Sequence, residues 1–143
     1  MELAEFTLAM GELYRAIGRS SLEGRFVALL LASEDAVSLK SAAATLGVSK
    51  ATVSSLANTM LERGDLKRTG DYSSREHRYR LVNHAHVSTL RDLATAARRI
   101  GELTRRYARE AATPQHATRL EKHLRLYLTA AGTLDEAVAP YER

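Results

Sequence analysis

The chain has 143 residues, 45% of them hydrophobic, with two prolines, eight glycines and no cysteine. This fits one compact domain, or a small domain with helical extensions, and excludes wholesale disorder, disulfides, thiolate metal sites and cysteine nucleophiles. The net charge of +4 is uneven: residues 1–36 carry three bases and six acids, residues 37–83 eight and four, and residues 84–143 ten and seven. A basic middle beside an acidic start points to a localised polyanion-binding surface.

The opening Met1-Glu2-Leu3-Ala4-Glu5 carries acid where a secretory leader would carry base. The longest apolar run, Phe26 to Ala32, is too short to span a bilayer. A cytoplasmic protein is the expectation. Leu3, Phe6, Met10, Leu13, Tyr14 and Ile17 recur at helical steps, which predicts an amphipathic helix before Gly18. Ser20-Ser21-Leu22-Glu23 reads as a capping box for the next helix, whose Phe26, Val27, Leu29, Leu30 and Leu31 mark it as central.

Ser33 to Val37 reads as a loop, and Ser38 as the cap of a short helix carrying Leu39, Ala42, Ala43 and Leu46. Gly47-Val48-Ser49 is a tight turn, with Gly47 suited to a left-handed backbone. Ser49 caps a longer helix through Val53, Leu56, Ala57, Met60 and Leu61, ending near Gly64. Residues 66–69 and 78–82 then read as strands of a hairpin with a polar tip, Gly70 to His77. Helical period returns at Val87, with Leu90, Ala94, Ala97, Gly101, Thr104 and Ala108 on one stripe and Leu93, Ile100 and Tyr107 beside it. Thr113-Pro114 starts a last helix. Its Ala117, Leu120, Leu124, Tyr127, Ala131, Leu134 and Val138 form a heptad-like seam that calls for a partner helix.

Residues 39–58 form a helix-turn-helix pattern: small Ala43 at the crossing, Gly47 at the turn, and Val53 packing the second helix on the first. The outward face of that second helix offers Lys50, Ala51, Thr52, Ser54, Ser55, Asn58 and Thr59. Short donors and acceptors with one base suit a major groove, and no acid occurs from Ala36 to Leu61 to repel phosphate. The competing reading is a helical hairpin with serine and threonine as surface filler. At the hairpin, Arg75, Arg78 and Arg80 are candidates for an adjacent minor groove, with Lys67 and Arg68 nearer phosphates; solvated hairpin charges are the alternative. Ser38, at a helix N-terminus, is a candidate phosphate contact.

Gly24-Arg25-Phe26-Val27-Ala28-Leu29-Leu30-Leu31, followed by Leu46-Gly47-Val48-Ser49-Lys50-Ala51-Thr52-Val53-Ser54, resembles the MarR family of bacterial regulators, nearest the GbsR-like branch. The likeness is close over residues 20–82 and lies only in layout outside them. It implies a homodimeric transcription factor, repressors among its kind, whose N- and C-terminal helices interlock while two winged units read an inverted-repeat operator. It also implies release of DNA by a small-molecule effector. Family wings often carry Asp-Arg-Arg or Asp-Arg-Lys at the tip; here Ser74-Arg75-Glu76 stands there, so only Arg75 carries over, with Arg78 as a second candidate.

The expected architecture is mainly α with a small two- or three-stranded β-wing. A dimerisation helix (1–19) precedes the winged helix-turn-helix (20–83, with the helix-turn-helix at 39–58 and the wing at 65–82), and dimerisation helices (84–143) follow. Double-stranded DNA and a second copy are the expected partners. No cofactor, metal or enzymatic activity is expected: phosphate-loop, dinucleotide, HExxH and nucleophile-elbow motifs do not occur. His84-Ala85-His86 is the best alternative, a zinc or nickel site completed by Glu110, Asp92 or His116. Arg98-Arg99 and Arg105-Arg106 read as a solvated face or a rim for DNA or an acidic ligand. The other functional reading is a winged module that dimerises or docks a protein without specific DNA binding.

Overall fold

Four of the helices begin where the sequence supplies a side-chain acceptor. Ser20 accepts from the Glu23 amide, Ser38 from Ser41, Ser49 from Thr52 and Thr113 from His116. The computed structural model describes residues 1–70, 76–82, 87–111 and 113–142. They fall into two units, Met1–Ala85 and His86–Arg143. The first holds α1 (Leu3–Ala16), α2 (Ser21–Ala32), β1 (Val37–Ser38), α3 (Leu39–Leu46), α4 (Lys50–Glu62), β2 (Leu66–Thr69) and β3 (Arg78–Leu81). The second holds α5 (Val87–Glu110), α6 (Pro114–Val138) and a closing 3-10 turn, Ala139–Tyr141. Among the described residues no helix is long and apolar enough to cross a membrane.

The predicted mainly helical fold with a small sheet is what the structure shows. Gly47 has φ 68° and ψ 34°, a conformation that costs glycine little and other residues more. It lets the Val48 amide reach back to the Ala43 carbonyl at 3.1 Å, closing α3 and turning the chain into α4. The sheet is antiparallel in the order β1-β3-β2. Val37, read from sequence as the end of a loop, instead pairs with Tyr79, and Ser38 with Arg78. A two-residue strand has no period of its own; its partner forty residues away makes it one.

The core of the first unit is built around α2. Phe26, Val27, Leu29 and Leu30 pack with Ala43 and Leu46 of α3, Val53, Ala57 and Met60 of α4, and Leu66 and Tyr79 of the sheet. Leu31, grouped with these in the sequence reading, is half exposed. On α1 the apolar stripe divides. Tyr14 and Met10 join the core, whereas Leu3, Leu13 and Ile17 are exposed together with Leu8. The buried face of α1 is Thr7, Gly11 and Tyr14, set roughly a quarter turn from the stripe's centre. Small residues explain the offset. A Cβ on Gly11 would lie 2.7 Å from Ser21 Oγ, and one on Gly24 would strike the Met10 carbonyl and sit 2.8 Å from Tyr14 Cβ.

In the second unit α5 and α6 pack on each other, and the heptad seam of α6 is spent there: Leu124, Ala131 and Val138 are buried. Gly101 of α5 lies where a Cβ would meet Leu128 Cδ2 at 2.7 Å. Arg98 pairs with Asp135, and Arg91 with Glu142 at 2.7 Å. Apolar surface is left uncovered on the neighbouring stripe of α5, where Leu93, Ile100, Leu103 and Tyr107 are all at least 36% exposed, and at the single residues Leu126 and Tyr141. With Ala96, also exposed, the stripe residues follow each other at steps of three and four, so α5 carries a second, open seam.

Candidate nucleic-acid interface

α4 is two-faced. Val53, Ala57 and Met60 are at most 1% exposed and hold the helix on the core. On the other side Lys50, Ala51, Thr52, Ser55, Asn58 and Thr59 are exposed, and Ser54 is half-buried at the edge. From Lys50 to Thr59 the face runs about three turns without an acid, and Glu62 closes it at the end of the helix. Its N-terminal end is ordered by Ser49, which caps the helix at 3.1 Å and shares a 2.7 Å hydroxyl contact with Thr52. Lys50 occupies the first helical position.

Ser38 sits differently. It is 6% exposed, and its Oγ accepts from the Ser41 amide at 3.1 Å. Its hydroxyl serves α3, so what this site offers an anion is the helix terminus rather than a free side chain. Arg75 lies outside the described residues.

The sheet adds basic charge. Pleating and cross-strand register place Leu66, Arg68, Tyr79 and Leu81 on one face and Lys67, Arg78 and Arg80 on the other. Arg68 covers the buried Tyr79 ring, its Cζ 6.0 Å from the centroid. On the outer face Arg78 is exposed and pairs with Glu76 at 3.5 Å, and Arg80 donates to the Glu34 carbonyl at 3.4 Å. The Glu76 pair is open to solvent and therefore weak. A polyanion can take Arg78 from it.

The fold also brings the predicted Lys50 together with Lys40 and His77, which the sequence did not single out. Leu39, Lys40, Lys50, Glu76 and His77 line a depression of about 350 Å³ at the start of α3 and α4. The Leu39 amide reaches the His77 carbonyl at 3.4 Å, which ties the base of the wing to α3. Lys40 was legible only as an exposed helical lysine. His77 gave no local signal, because β3 carries it there from a distant part of the chain.

Among the described residues no three histidine, aspartate or glutamate side chains gather as metal ligands. His84 and His86 lie outside the described residues. In the second unit Arg99, Arg105 and Arg106 are exposed.

No protein-family model matches the chain. No curated protein matches it either. A solved structure described as a transcriptional regulator is similar to it, with a TM-score of 0.66, 23% sequence identity and 97% of each chain covered. The likeness extends over both units and shows a shared fold.

Proposed function

We propose that this chain is a MarR-type transcriptional regulator that binds an inverted-repeat DNA operator as a homodimer. One observation carries the reading: α4 is anchored by a fully buried apolar face while its opposite face is exposed, free of acid until Glu62 at its last residue, and made of short polar groups that begin at Lys50. A helix so presented lies in a major groove with Lys50, Thr52, Ser55 and Asn58 at base edges or phosphates, Ser54 at the margin and Ser49 setting the first turn. Arg78 and Arg75 extend the contact to the flanking minor groove, where negative potential favours arginine. The solved regulator of similar fold supports this assignment.

The second copy is supported by uncovered apolar surface: the open seam of α5, and Leu13 and Ile17 side by side at the end of α1. Monomeric proteins seldom leave such stripes in water. Residues 1–19 and 84–143 then serve pairing, and two copies of α4 read the two half-sites. Release by a small-molecule effector, and a cytoplasmic location, complete the reading.

The test is direct. The purified chain is titrated with a random-sequence duplex pool at several salt concentrations, and bound sequences are selected and read. Recovered palindromes with strong salt dependence are the expected result. A chain with neither affinity nor salt slope is a protein-docking module instead, and the DNA reading falls.

A further inference from the structure

The outward face of α4 has to be held at a defined pitch, yet the side chains beneath it are Val53, Ala57 and Met60, whose packing is non-directional. A directional contact holds the far end of α4 and another holds the end of α3, just before the turn that leads into α4, and both come from the first turns of α2. At the far end, Arg63, the C-cap of α4, pairs with the Glu23 carboxylate. Glu23 also takes Arg19 at 3.1 Å, and Arg63 Nε lies 3.2 Å from Asp65 Oδ2, an ion-pair distance too far off-axis for a hydrogen bond. Asp65 is in turn fixed by its backbone, its amide on the Met60 carbonyl at 2.9 Å and its carbonyl taking the Val82 amide at 3.0 Å. At the near end, Arg25 donates from Nη2 to the Leu46 carbonyl at 2.9 Å, on the last residue of α3 and just before the turn into α4.

We infer that Glu23, Arg25 and Arg63 are positioning residues that set the angle of α4 for reading DNA bases, and the inference rests on the DNA-binding reading above. None of them belongs to the exposed face of α4, and Glu23 has a side chain only 9% exposed. A buried ionic cluster is a poor way to gain stability, since its desolvation offsets much of its attraction, but it does fix one geometry. The guanidinium matters here: Arg63 hydrogen-bonds Glu23 through Nη2 while its planar head lies at ion-pair distance from Asp65, an arrangement that a lysine ammonium does not reproduce. Contacts to base edges tolerate displacements of only about half an ångström, so a loosened grip costs sequence reading before it costs folding.

The sign of the effect makes the test sharp. Glu23→Gln removes a negative charge, which by general electrostatics leaves DNA binding equal or tighter. Positioning predicts the reverse for the operator. With the full chain, affinities are measured for the palindrome selected from the random pool and for a scrambled duplex of equal length, at several salt concentrations. Expected for both Glu23→Gln and the charge-conserving Arg63→Lys is an operator affinity lower by about tenfold, the size of one mis-seated base contact. Scrambled-duplex affinity and salt slope stay at or above the unmodified values. Should Glu23→Gln fail to fold, Arg63→Lys decides by the same criterion. Unchanged selectivity in a folded variant overturns the inference, as does a parallel fall on both duplexes. If the unmodified chain binds neither duplex, it is the DNA reading itself that fails.

Discussion

Lys50→Gln separates what α4 contributes to the fold from what it contributes to DNA, because the two effects have opposite signs. Lys50 is exposed at the first position of α4, and no ion pair holds it among the described residues. A cation in the first turn opposes the helix macrodipole, so removing it leaves stability unchanged or raises it by about 0.3 kcal/mol. On a phosphate the same charge releases a condensed counterion and contributes about 0.9 to the slope of log affinity against log salt. Between about 1 M salt, where that contribution vanishes, and about 0.15 M, this amounts to about 0.7 log unit, or about fivefold. A dimer on a palindrome loses the contact twice. The expected change is therefore a slope lower by about 1.8 and an affinity at 0.15 M lower by about 25-fold. Fluorescence anisotropy with a labelled palindrome at four salt concentrations reads both, and thermal denaturation reads the fold. An unchanged slope would show that the start of α4 does not meet a phosphate. A lower melting midpoint with lost affinity would assign Lys50 to the fold instead.

Two glycines should respond differently to the same added methyl. In Gly24→Ala the new Cβ meets the Met10 backbone carbonyl, which cannot yield without moving α1, and we expect a loss of about 2 kcal/mol in denaturant unfolding. In Gly101→Ala it meets Leu128 at Cγ as well as Cδ2, so that side chain has to change its first rotamer, and the gain in helix propensity of about 1 kcal/mol offsets part of the crowding, for a smaller loss than at Gly24. Ser49→Ala removes the cap of α4 and releases Thr52; it should cost about 1 kcal/mol in the same assay and weaken operator binding as well. Ile100→Glu places a charge in the open seam of α5, where a monomer tolerates it and a helix pair does not. Light scattering at micromolar concentration should then show the monomer.

How far the sequence revealed this structure depended on how local each cause is. The helix-turn-helix was legible because its causes lie within twenty residues: caps at Ser38 and Ser49, a left-handed Gly47, and apolar steps that place Val53 and Ala57 inward. The split stripe of α1 was not, because burial there follows the close approach permitted by Gly11 and Gly24 rather than hydrophobicity. Small residues on both helices were the available signal. The seam of α6 does need a helix, as its spacing predicts, but it packs on α5 of the same chain, and the apolar stripe left exposed is a different one, on α5. The pairing of Glu23 with Arg63 spans forty residues and has no periodicity; only the folded chain reveals it.

The open seam bears on stability as well as on assembly. Among the described residues of the second unit the fully buried positions of α5 are Ala94 and Gly101, and the large side chains wholly sealed from water are Leu124 and Val138 of α6, with Leu90, Leu120, Tyr127, Leu128 and Leu134 half-buried. Each sealed side chain is worth about 1.5–3 kcal/mol, little against the entropy of ordering two long helices. Its ion pairs add little, because Arg91 and Glu142 are both more than 40% exposed. In the proposed dimer a second copy covers Leu93, Ile100, Leu103 and Tyr107 and adds burial, so the stability of α5 and α6 is coupled to the pairing of chains. Mass action then requires the melting midpoint to fall on dilution. Circular dichroism melts from about 100 μM to about 1 μM should show the shift, and Ile100→Glu should abolish the dependence by melting at the lower midpoint throughout. A midpoint that does not move with concentration in the unmodified chain would mean that the hairpin stands alone, and the seam would need another occupant.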